Sequence, residues 1–265
     1  MTSSRRWQVA SYSRGTASGG CQRKNLVDGR WYKADTLGAE SFAEVLSYHV
    51  NQTFGFPSLR YEPGIWQMGR RTLPAVVSHD YSGGGNVLSV ETLIRKMSGQ
   101  LWYSILYEKS PAAKFEKLAE FLASYVGEGI RQYLLDLFMT DFLNGNPDRH
   151  LSNIDMIYKD GFYKMAPFFD YGLSWYVQDD VDEITSDNVM EAVESISFRP
   201  FNLQGKAFYQ FLVSLGAVLK IPADWEKELE KLKMVIYSMD GLYDADFLAS
   251  RVLLLESRMA YILKL

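Results

Sequence analysis

At Tyr81-Ser82-Gly83-Gly84-Gly85 the chain changes its period, and no other feature constrains the fold as much. Upstream, short apolar runs are broken by Gly and Pro, the pattern of strands. Downstream, apolar residues recur at spacings of three and four over long stretches, the pattern of amphipathic helices. Three glycines in a row favour neither pattern, so the stretch reads as a linker. The expectation is an α+β fold of two lobes: a small mixed one over residues 1–81 and a larger helical one over 82–265. A chain of 265 residues can bury a sizeable core in such an arrangement, and a further independent domain is not expected.

In the small lobe, strands are expected at Trp7–Tyr12, Pro57–Tyr61, Ile65–Met68 and Leu73–Ser78. Asn25-Leu26-Val27 and Arg30–Ala34 flank Asp28-Gly29, a dipeptide that favours a tight hairpin. Between the first strands lies the Gly/Ser-rich run Arg14–Lys24, whose amides could cradle phosphates. It matches neither GxGxxG nor a Walker pattern, and taken alone it is better explained as a surface loop. Ser41–Phe54 has helical spacing, with Phe42, Val45, Leu46, Val50 and Thr53 on one face.

In the large lobe, helices are expected over 88–97, 112–126, 129–143, 206–219, 223–239 and 245–263. A hairpin is expected over 154–166 around Lys159-Asp160-Gly161.

Composition removes several function classes. A net charge of −4 and a pI near 5.5 leave no electrostatic footprint for duplex nucleic acid. Cys21 is the single cysteine, and with three histidines no Cys/His zinc cluster can form. No run approaches the ~18 apolar residues of a membrane span. The polar N-terminus does not read as a signal peptide, so the cytoplasm is the expected location.

The third large-lobe helix runs into Asn144-Gly145-Asn146-Pro147, which cannot continue it, and so places Asp148-Arg149-His150-Leu151-Ser152-Asn153 on a loop. An Asp with an Asn at i+5 allows one loop to carry a group that orients a hydroxyl and a ligand for a cation. Asp and Asn are also common turn formers, which explains the pair equally well. The return of a second carboxylate after the hairpin, in Phe169-Asp170-Tyr171-Gly172, favours metal-assisted phosphoryl transfer.

Pro147–Asn153 followed by Ala166-Pro167-Phe168-Phe169-Asp170 resembles the Asp-x-His-x-x-Asn and Ala-Pro-x-x-Asp pattern of HipA-like serine/threonine kinases, and its core is also similar to that of phosphoinositide kinases. Ser18-Gly19-Gly20-Cys21-Gln22-Arg23-Lys24 resembles the phosphate loop of the HipA-like kinases. The resemblance spans most of residues 13–175 and implies a two-lobed protein-kinase-like fold using ATP and Mg²⁺. On it, Asp148 orients or deprotonates the acceptor hydroxyl, and Asn153 and Asp170 ligate Mg²⁺. Lys33 contacts the α- and β-phosphates, covered by Ser18, Gly19 and Gly20. Val76–Asp80, with Ser78 and His79, is the hinge at adenine. His150 touches the γ-phosphate or braces the loop, although a lone histidine is more often structural.

The resemblance pairs Lys33 with Glu44, but Ser41-Phe42-Ala43-Glu44 also fits a capping box that would occupy this Glu, and Glu40 is the alternative partner. HipA-like toxins usually carry an extra N-terminal subdomain, so the chain reads as a minimal form. A protein acceptor and an antitoxin-like regulator are implied, as is self-phosphorylation of the loop, where Ser13, Thr16 and Ser18 are available and Ala17 occupies the matching place. The activation segment falls at about 173–200. Its acidic run Gln178–Glu183 could attract a basic peptide, but is better explained as a solvated loop. The rivals are a lipid or small-molecule kinase and a nucleotide-binding pseudokinase scaffold.

Overall fold

The computed structural model describes residues 6–7, 23–36, 38–99, 101–176 and 184–265. The Gly/Ser-rich run through Gln22, with Ser13, Thr16, Ser18, Gly19 and Gly20, lies outside the described residues, as does the acidic run to Glu183.

Five strands form the small-lobe sheet: β1 (Arg6–Trp7), β2 (Arg23–Val27), β3 (Arg30–Ala34), β4 (Glu62–Met68) and β5 (Arg71–His79), in the order β1-β4-β5-β3-β2. The β2–β3 hairpin turns on Asp28 and Gly29, both at positive φ (49° and 69°), as its sequence predicts. Alternation sends Ala34, Trp66 and Ala75 to the outer face, where Trp7, Tyr32 and Leu73 cover them. Lys33 and Val76 are register partners on the opposite face, against helix α1 (Glu40–Thr53).

Helix α1 is buried on nearly every side, polar residues included. Its apolar stripe therefore gives only part of its environment. Phe42 packs edge-on against Tyr243 and Phe247, and Phe54 lies tilted against Trp225, all from the C-terminal part of the large lobe. Residues 57–61 depart from the expected strand. Leu59 N–H donates to Phe168 O (2.8 Å) and Ser58 bridges Phe168, so the segment pairs across the lobes instead of joining the sheet.

The large lobe opens with β6 (Asn86–Ser89), which pairs with β7 (Asp155–Lys159) and through it with β8 (Phe162–Met165). The residues expected to begin a helix at Leu88 thus form a strand first. Helix α2 (Val90–Met97) starts only after Ser89, whose Oγ accepts from Thr92 N–H (3.2 Å). Gly85 is required here, because a Cβ would meet Ile157 Cγ2 at 2.7 Å. Helices α3 (Leu101–Leu106), α4 (Pro111–Val126) and α5 (Ile130–Asn144) follow. Beyond the acidic run come α6 (Val189–Glu194), a two-stranded ribbon of β9 (Ser197–Phe198) and β10 (Leu203–Gln204), then α7 (Gly205–Ser214), α8 (Trp225–Tyr237) and α9 (Ala245–Ile262). Helices α3 and α6 and the ribbon are too short to carry a readable period. Among the described residues no helix is long and apolar enough to cross a membrane.

Candidate active site

The site lies where β3, α1 and the segment after β8 converge. Lys33 sits on β3 facing α1, and its Nζ donates to Glu44 Oε1 at 2.9 Å and to Asp170 Oδ1 at 3.4 Å. Burial works against the ammonium, but Glu44, Tyr61 and Asp170 outweigh it and hold the Lys33 pKa well above the ordinary lysine value. Glu44 is fully buried and its second oxygen accepts the Tyr171 N–H at 3.0 Å. The capping-box alternative is not realised: Ala39 occupies the N-cap without a side-chain bond, while Glu40 accepts the amides of Thr36 and Gly38.

Asp170 adopts φ +66°, a left-handed conformation that Asp tolerates better than most side chains and that is concentrated at functional sites. Burial pushes its pKa up, yet Lys33 and Arg149 outweigh it, so the carboxyl is held below the ordinary aspartate value and stays ionised. Lys24, on β2, adds to the same field.

The loop that carries Asp148 hangs from α5, which closes on Gly145 in the left-handed region (φ 64°). Arg149 organises it from beneath. This arginine is fully buried, its Nε is 3.1 Å from both oxygens of Asp141, and its Nη1 donates to Asn153 O and Phe169 O, each at 2.7 Å. One guanidinium therefore ties the Asp148–Asn153 loop to the strand end that delivers Asp170. Asn146 Nδ2 adds a bond to Asp141 Oδ1 (2.8 Å), and its own oxygen accepts the Asp148 N–H (3.1 Å). Neither Arg149 nor Asp141 is singled out by the spacing of the motif. The adjacency of Arg149 to Asp148 was the available sign, but only packing shows that it turns inward.

Asp148 is partly exposed at the surface of the cleft. Its Oδ1 accepts Arg199 Nη1 at 2.9 Å, and His150 Nε2 lies 3.7 Å from its Oδ2, near it but beyond hydrogen-bonding distance. Asn153 Nδ2 donates to Asp148 O (3.3 Å), so the amide oxygen is the end left for a cation. Ser78, on the α1 side of β5, is buried and its Oγ has no hydrogen-bond partner, an orphan group near the end of the strand. His79 alternates to the other face and is exposed. A second group missed in the sequence is Asp155 at the start of β7. Burial raises its pKa to about 6, and its Oδ2 accepts Tyr81 Oη at 2.6 Å.

The strand-borne lysine, the buried helix glutamate and the two aspartates joined by one arginine sit on the HipA-like kinase fold. No family model and no curated protein matches the sequence, so solved structures carry the comparison. A proinflammatory kinase of Helicobacter pylori, CtkA, is similar with a TM-score of 0.69 at 14% identity, over 97% of this chain and 95% of that one. The toxin HipA of Shewanella oneidensis, solved with HipB and operator DNA, is similar with a TM-score of 0.54 at 15% identity, over 96% of this chain and 67% of that one.

Proposed function

We propose that the chain is an ATP- and Mg²⁺-dependent kinase that transfers the γ-phosphate to a Ser or Thr hydroxyl of a protein. The observation that carries this reading is the position of Lys33 Nζ, 2.9 Å from Glu44 and 3.4 Å from Asp170, with Asp148 tied to the same segment through Arg149. A lysine held charged between two carboxylates is placed to meet phosphate oxygens. The orphan Ser78 Oγ at the hinge offers a hydrogen bond to a base. Asn153 and Asp170 together suit Mg²⁺, which usually takes one or two protein ligands beside the substrate phosphates. Bound there, the ion would neutralise charge on the phosphates.

In this reading Asp148 accepts the proton of the acceptor hydroxyl as its oxygen bonds to phosphorus and the bond to the ADP leaving group breaks. His150, beside Asp148, touches the γ-phosphate or braces the loop. Ser18, Gly19 and Gly20 cover the phosphates, and Ser13, Thr16 or Ser18 receives phosphate in self-modification. A cytoplasmic setting and an antitoxin-like regulator belong to the same reading, the latter supported by the HipA–HipB assembly.

Incubation with γ-labelled ATP and Mg²⁺, comparing the intact chain with Asp148→Ala and Asp170→Ala, tests it. Transfer is expected to fall by roughly 10²–10⁴-fold in the Asp148 variant, the usual contribution of a positioned base. Label that survives both substitutions would sink the assignment. ATP·Mg²⁺ binding without transfer would favour the pseudokinase reading. Mass spectrometry should place self-phosphorylation between Ser11 and Ser18.

A further inference from the structure

A cavity of about 510 Å³ opens on the large lobe between the α3–α4 connection and the chain that follows Arg199. Its walls include Tyr107, Lys109 and Lys114 on one side and Pro200, Phe201 and Asn202 on the other. It is thus one residue along the chain from the arginine that holds Asp148 Oδ1 at 2.9 Å. Groove and Asp148 are linked through Arg199.

The groove is cationic in a chain whose net charge is −4. Lys109 is exposed, and Lys114 Nζ reaches the carbonyl of Pro200 (3.2 Å) with no carboxylate of the described residues in ion-pair contact. The one carboxylate in the wall, Glu108, is already matched: Lys117 Nζ lies 2.6 Å from it and Ser110 N–H donates to it at 3.0 Å. Arg199, half exposed, adds a third positive charge at the end nearest Asp148. An ion pair on the proposed base also shields the oxygen that an acceptor hydroxyl needs. A competing carboxylate would release it at little cost, because the pair is solvent-exposed and therefore weak.

Resting on the kinase reading above, we infer that this groove receives an acidic segment of the acceptor protein, and that a carboxylate of that segment draws Arg199 off Asp148. The chemistry selects Asp or Glu flanking the acceptor Ser or Thr. Lys109 and Lys114 hold the segment, and Arg199 makes Asp148 available only when it is seated.

The test uses three fluorescent peptides with one central Ser, flanked by Asp/Glu, by Ala, or by Lys/Arg. Anisotropy reads binding to the intact chain, and γ-labelled ATP with Mg²⁺ reads transfer. The acidic peptide should bind best, and Lys109→Glu should weaken it roughly fivefold, the scale of one exposed ion pair, without altering ATP turnover. Lys114→Gln serves as the second variant and should weaken it in the same direction. Arg199→Ala should raise the kcat of the Ala-flanked peptide to that of the acidic one and so narrow the kcat/KM gap, leaving the binding difference that Lys109 and Lys114 set. Equal binding of all three peptides, or preference for the basic one, overturns the groove even where transfer proceeds. An acid preference in kcat/KM that persists unchanged in Arg199→Ala overturns the displacement. Selective binding of the acidic peptide with no transfer to any peptide upholds the docking and removes the kinase reading instead.

Discussion

Asp155 shows how far one residue's environment can move its chemistry. It faces Tyr81, which donates to it at 2.6 Å, and it lies in the field of Asp170, Lys24 and Lys33. Burial is the largest influence and raises its pKa to about 6. A raised folded-state pKa means the native chain holds this proton more tightly than the unfolded chain does. The stabilisation is complete below the unfolded value near 4 and is lost as pH rises through about 6. Asp35, also near 6 by burial, contributes with the same sign. Asp155→Asn keeps an acceptor for Tyr81 and removes the titration. Its stability in urea should match the parent near pH 4 and exceed it by on the order of 2 kcal/mol above pH 7. Equal pH dependence in the two chains would rule this out.

Arg149 and Glu44 make the same point for charge. Each is buried and each has a counter-charge and backbone partners: Asp141 with two carbonyls for the arginine, whose Nη2 alone is left without a partner, and Lys33 with the Tyr171 amide for the glutamate.

Among elements, α5 and α1 set the site. Helix α5 delivers the Asp148–Asn153 loop only because Gly145 turns it sharply at φ +64°. A Cβ there would meet Ile196 Cδ1 at 2.8 Å and the Arg258 guanidinium carbon at 3.2 Å. Gly145→Ala should therefore cost about 1–3 kcal/mol in denaturant unfolding, more than Gly161→Asn, where φ is also positive but an added Cβ meets nothing within 4 Å and Asn accepts the left-handed region best. Helix α1 is fixed from the other lobe. Asn144 Nδ2 donates to Asn51 Oδ1 (2.7 Å), Trp175 Nε1 to Ser47 Oγ (3.1 Å), and Tyr243 Oη to Asp35 Oδ2 (2.7 Å) just before the helix. These bonds hold the helix, and with it Glu44, against Lys33. They also explain why an amphipathic stripe could not place Glu44: a helix covered on all sides has no solvent face to define the other.

For the whole molecule, the proposed nucleotide site, with Lys33 on one side and Asp170 on the other, would couple ligand binding to global stability. Mg²⁺·ATP at about a hundredfold over its Kd should stabilise the chain by about 2.7 kcal/mol. In a chain of this size that raises Tm by roughly 5–10 °C in a thermal melt. Asp170→Ala should abolish the Mg²⁺-dependent part, and an unchanged rise in that variant would place the ion elsewhere.

The division of labour between sequence and tertiary structure follows from range. Local chemistry made the two Asp-Gly hairpins, the stop at Gly145 and the spacing of Asp148 and Asn153 legible, because a turn's conformation depends on a few adjacent residues. The sequence by itself also determined the change from strand-rich to helix-rich chain near the Gly-rich linker, since period reflects which faces can be buried, but not that β6 follows the linker before the helices begin. Only the folded chain decided that Lys33 meets Glu44, that Arg149 turns inward to Phe169, and that Arg199 reaches Asp148. Those contacts join residues 11, 20 and 51 positions apart. The same holds for Asp155 and Tyr81, 74 apart. No local pattern encodes such a contact, because the partner's position is set by the packing of everything between.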